Sequence, residues 1–147
     1  MSFEIKYPVL IVTQTLWLGF LLAISFLEAW LKFRAPGVTI PIGLGIGKLV
    51  FGALNRIEWF FLFVLFFHLF TYFKELNNSY FIFAIILFIT LITQTFYLLP
   101  ALDQRADIYI SGETPPSSSL HLYYVFGEVF KTITLILFIL NLFKRIS

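Results

Sequence analysis

The chain has no cysteine and a single methionine, and charge is scarce: 10 Lys and Arg face 8 Asp and Glu in 147 residues. Without cysteine there are no disulfides, no thiolate metal ligands and no palmitoylation, and redox chemistry says nothing of compartment. A 12% share of charged residues is about half that of an ordinary soluble domain. The net charge of +2, with no basic stripe to follow a phosphate backbone, excludes nucleic acid as a partner.

What fills the chain instead is apolar side chain, 60% of all residues. Four apolar blocks, at residues 8–33, 44–73, 79–99 and 120–143, are each long enough for a hydrocarbon core of about 30 Å at about 1.5 Å per helical residue. The expectation is an all-α, integral membrane four-helix bundle, one transmembrane domain whose first partner is the lipid bilayer. The first block is longer than a secretory signal and ends in EAWLKFRAP, so it is expected to be retained.

Turn signals divide the blocks. Thr39 to Pro41 reads as a short turn before a second helix starting near Ile42. Asn77 and Asn78 make a tight turn, Ser79 is a natural N-cap for the third helix, and Pro100 closes it. Residues 101–119 then form the one long connection, with Ser118 or Ser119 capping the fourth helix. With four spans both termini share a side. Lys6, Lys74, Lys144 and Arg145 there, against Lys32, Arg34 and Arg105 opposite, put the termini on the cytoplasmic face.

The stretch GLGIGKLVFG, from Gly43 to Gly52, invites a nucleotide-loop reading and fails it. Ile42 and Leu49 stand where a Walker loop needs glycine and a hydroxyl, and Lys48 or Val50 where the dinucleotide pattern needs its third glycine. Gly43, Gly47 and Gly52 read instead as a helix-packing surface, on which a neighbouring backbone approaches closely.

Each helix also carries a polar stripe at three- and four-residue spacing. These are Gln14, Leu18, Leu21, Ser25, Glu28 and Lys32 on the first helix, and Lys48, Phe51, Asn55, Glu58 and Leu62 on the second. Thr90, Gln94 and Tyr97 align on the third, and His121, Tyr124, Glu128, Lys131 and Leu135 on the fourth. The charged parts all fall in the half nearer the first and third loops. Facing inward, Glu28, Lys32, Asn55, Glu58, Gln94, Tyr97, His121, Tyr124, Glu128 and Lys131 would line a pocket.

Three readings of that pocket remain. Glu28 with Lys32 and Glu128 with Lys131 are spaced as ion pairs that would only fix the register of the bundle. The pocket is otherwise a site that binds or moves a small polar or ionic solute, since intramembrane charges mark such sites. Intramembrane catalysis is third, because no diagnostic spacing links the candidate acid, base and nucleophile. No catalytic residue is assigned. No metal is assigned either, because the Glu-x-x-His pair of di-iron bundles is missing. His68 and His121 sit at opposite helix ends, which disfavours a shared haem, and no cofactor is identified. A non-catalytic subunit, packing into a membrane-protein partner or a homo-oligomer through the glycine surface, is the alternative to the solute site. Trp30, Trp59, Tyr72, Tyr80 and Tyr109 suit interfacial belts.

The segments LLPALDQRADIYISG and SSSLHLYYVFGEVFK carry a resemblance to a small four-helix integral membrane family of unknown function, which includes the human cisplatin-resistance-associated transmembrane protein. Pro100, Arg105, Leu120 and His121 match its pattern, whereas Tyr124 stands where the family has serine. The resemblance implies a four-helix bundle and leaves activity open.

Overall fold

A computed structural model describes residues 6–144 of the chain. Among the described residues the fold is all helix, with four helices long and apolar enough to cross a membrane: α1 Pro8–Arg34, α2 Ile40–Thr71, α3 Asn78–Ile110 and α4 Leu120–Lys144. Successive helices run antiparallel, and α1 packs on α2, α2 on α3, α3 on α4 and α4 back on α1. The polar connection, residues 111–119, lies at the same end of the bundle as the α1–α2 turn.

Half of the bundle is an apolar core. Leu10, Trp17 and Leu21 from α1 meet Leu62, Leu65 and Leu69 from α2, Ala84, Leu87 and Leu91 from α3, and Leu135 and Phe138 from α4. Most of the remaining Phe, Ile and Leu face outward, as expected of helices whose solvent is lipid. Near the termini, Lys6 pairs with Glu75 at 3.1 Å and the Tyr7 hydroxyl donates to the same carboxylate at 3.2 Å, tying the start of α1 to the α2–α3 turn. These two charges lie outside the spans. Hydrogen bonding to Glu75 holds the Lys6 ammonium above its ordinary range, and the bond from Lys6 holds Glu75 below the usual carboxylate range.

Three boundary expectations are corrected. Helix α2 begins at Ile40, because Pro41 sits in its first turn, where a missing N–H costs nothing. Helix α3 begins at Asn78 after Asn77, with no side-chain cap from Ser79. Pro100 does not close α3, which runs on to Ile110. The reason is local: Gln94–Leu98 forms a π-turn in which the Leu99 N–H reaches the Gln94 carbonyl, five residues back. This widened turn immediately before Pro100 accommodates a residue that lacks a donor and crowds the preceding turn. The real stop is Gly112, at φ +90, where the Gly112 N–H bonds Tyr109 and the Glu113 N–H bonds Ile108, a glycine-terminated helix end. At the other flank of the connection, Ser118 Oγ accepts the Leu120 N–H at 3.1 Å, the expected cap of α4.

At about 1.5 Å per residue, the 32 residues of α2 span about 48 Å, well beyond a hydrocarbon core of about 30 Å. At the end of the bundle bearing the α1–α2 turn, α2 and α3 are joined by Lys48, which bonds both oxygens of Asp107 at 2.8 Å.

Candidate functional site

The polar residues of the bundle gather at two levels. The deeper level centres on Lys131, which has no exposed surface and lies between two carboxylates: Glu58 Oε1 at 2.5 Å and Glu128 Oε1 at 2.8 Å. The Trp17 indole N–H donates to Glu58 Oε1 at 3.0 Å. Glu128 is held by three further groups. Gln94 Nε2 donates to its Oε1 at 2.7 Å, Ser25 Oγ to its Oε2 at 2.6 Å, and the Tyr124 hydroxyl also interacts with it. All four helices therefore contribute to one buried cluster of two carboxylates and one ammonium. Glu58 Oε2, Gln94 Oε1 and Gln14 Oε1 are buried acceptors without a hydrogen-bond partner among the described residues.

Local backbone explains how these side chains meet. A second π-segment, Leu22–Glu28 in α1, brings the Ala29 N–H to the Ile24 carbonyl, and Ser25 lies within it. Gly127 is equally specific: a β-carbon there would stand 2.9 Å from Gln94 Nε2. The missing side chain is what lets Gln94 cross to Glu128.

The upper level is a cleft at the end bearing the α1–α2 turn, with about 630 Å³ of empty space, part of it open to the exterior. Lys32, Phe33, Phe51, Asp103, His121 and Tyr124 are among its lining residues. Lys32 bonds Glu28 at 3.1 Å and lies over the Phe33 and Phe51 rings at 5.6 and 5.3 Å, a cation against two π faces. Phe51 also packs edge-on against Tyr124, centroids 5.4 Å apart. Tyr124 is 4% exposed and belongs to both levels, lining the cleft and touching Glu128.

Eight of the ten residues expected at one pocket are thus found at these two levels, and two are not. Tyr97 is 68% exposed, because the π-turn inserts a residue into the stripe and Leu98 takes the inward position. Asn55 is buried but turned toward α3, donating to Thr95 Oγ1 at 2.9 Å. Trp59 donates to the same hydroxyl at 3.0 Å, and Tyr80 is buried and donates to the Asn141 carbonyl at 3.0 Å.

The glycine surface also differs from expectation. Gly43 receives the Phe33 ring, and a β-carbon at Gly47 would lie 3.1 Å from Lys32 Nζ, so both admit side chains of α1 and not a neighbouring backbone. Among the described residues nothing lies within 4 Å of where a β-carbon at Gly52 would stand.

Sequence reasoning missed Trp17, Gly127 and the cleft-lining Asp103. Trp17 lies three residues from Gln14, and Gly127 beside Glu128, so helical spacing placed both next to the stripe. Among the described residues no three of His, Asp and Glu stand close enough to hold a metal ion. No family profile, curated protein or solved structure matches the chain. The site must be read from its own chemistry.

Proposed function

We propose that the chain is an integral membrane protein that binds or moves a small polar or ionic solute at the cleft end of its bundle. The observation supporting this is that the cleft and the buried Glu58–Lys131–Glu128 cluster share Tyr124, which lines the one and touches Glu128 of the other. Charges at bilayer depth are costly enough to mark functional positions. In this reading Lys32, Asp103 and His121 meet the solute at the mouth. Glu58 and Glu128 serve as proton or cation acceptors below, and Lys131 is their counter-charge. The alternative of an assembly subunit docked through its glycines has less support, because Gly43 and Gly47 are filled by Phe33 and Lys32 of the same chain. We assign the termini to the cytoplasmic face on the basic residues gathered there, so the cleft opens to the other side.

Native mass spectrometry from a mild detergent tests the reading. Wild type should retain a defined non-lipid mass that Glu128→Gln loses. A stoichiometric protein partner with no retained small molecule would sink it in favour of the assembly subunit.

A further inference from the structure

The buried cluster does not balance its own charge. Lys131 supplies one positive charge to two carboxylates, and among the described residues it is the one cation within ion-pair distance of either. Among the described residues the other helices bring no second cation to Glu58. From α1 the group facing Glu58 is the uncharged Trp17, from α3 Gln94 reaches only Glu128 and the Tyr124 carbonyl, and α4 adds the neutral Tyr124 hydroxyl. Lys32 and Lys48 are committed to Glu28 and Asp107. A net negative charge in a low-dielectric interior is expensive unless it is neutralised.

The two carboxylates differ in what they have left to accept. Both oxygens of Glu128 are filled, by Lys131 and Gln94 on one and Ser25 on the other. Glu58 Oε1 is filled by Lys131 and Trp17, while its Oε2, on a side chain with no exposed surface, has no partner among the described residues. One further positive charge thus has one oxygen to occupy. A metal cation would need several oxygens around it, whereas a proton needs one.

From this geometry we infer that the cluster binds one exchangeable proton, resting on Glu58 Oε2. Hydronium at the cleft end gives up the proton, Glu58 becomes a neutral acid, and water is left behind. The inference deepens the solute reading by naming what the buried half of the site takes, and it rests on that reading.

Infrared spectroscopy of the purified full chain in lipid nanodiscs at neutral pH tests it, with the proton as the probe. The carbonyl stretch of a protonated carboxyl should be present in wild type and shift in D2O. Charge parity sets the variants. Glu58→Gln or Glu128→Gln leaves one carboxylate against one ammonium and should abolish the band, while Lys131→Met leaves two carboxylates and should double it. Trp17→Phe, which removes a donor to Glu58, should move the band, and Ser25→Ala, which touches Glu128, should leave it in place. That pair keeps the assignment testable if a charge variant fails to fold. No band in wild type, a band that ignores D2O, or a band surviving both glutamine variants would overturn the inference. A solute retained by wild type in native mass spectrometry without a carboxyl band would leave the solute reading standing and remove only the proton.

Discussion

Trp17 and Glu58, 41 positions apart in the chain, are joined by a 3.0 Å hydrogen bond in the bundle interior. An indole N–H is a donor only, so it suits a carboxylate that already shares Lys131 and would repel any further acceptor. Through this bond α1 is fastened to the charged cluster as well as to the apolar core, where Trp17 stacks on Phe61 at 6.2 Å.

Lys131→Met should be the most damaging single change at the cluster. Removing one member of a buried ion pair costs about 3–5 kcal/mol, because the partners remain buried. Adding Glu58→Gln to Lys131→Met should recover part of the loss. Thermal unfolding in detergent of the two single variants and the double variant measures the coupling, and strictly additive effects would contradict the contact.

Gly127→Ala should act through Gln94. The new methyl group would displace the Gln94 amide from Glu128, forfeiting a hydrogen bond to a charged group worth about 1.5–3 kcal/mol. In a Gln94→Ala background the same substitution should be nearly harmless. Equal damage in both backgrounds would place the cost elsewhere.

The glycines of α2 should separate. Gly43→Ala collides with the Phe33 ring and should destabilise, whereas Gly52→Ala meets open space and should be neutral or gain up to about 1 kcal/mol of helix propensity. Thermal midpoints of the two variants give the comparison.

The absence of cysteine makes orientation directly measurable. Ser79→Cys and Ser117→Cys lie at opposite ends of the bundle. In sealed membrane vesicles with the cytoplasmic face inside, a membrane-impermeant maleimide should label Ser117→Cys and spare Ser79→Cys. The reverse pattern would invert the assigned topology, and labelling of both would contradict the spans.

The Lys6–Glu75 pair predicts a pH window. Glu75 is held below its ordinary range, so its contribution is present above the unfolded carboxylate value and is lost as pH falls through the folded one. Lys6 is held above its range, so its share is present below the unfolded lysine value and lost as pH rises through the folded one. Both groups are exposed, so the effect is small. The difference in thermal midpoint between wild type and Glu75→Gln should shrink on acidification below the carboxylate range, and a difference that grows would contradict the pairing.

The sequence alone determined that this is an all-helical chain with four helices able to span a membrane, because helix length against hydrocarbon thickness is a local property. It also determined the polar stripes, since three- and four-residue spacing puts Ser25, Glu58, Gln94, Glu128 and Lys131 on the faces they occupy. Only the tertiary structure decided which stripe residues meet. Tyr97 lost its place to Leu98 through a π-turn, whose hydrogen bonds leave no residue-type signature. Pro100 was absorbed for the same reason, so α3 lengthened and raised one wall of the cleft. Trp17 and Gly127 acquired their roles only when another helix arrived: a donor matters when an acceptor 41 positions away comes within reach, and an absent side chain matters when something crosses the space it leaves.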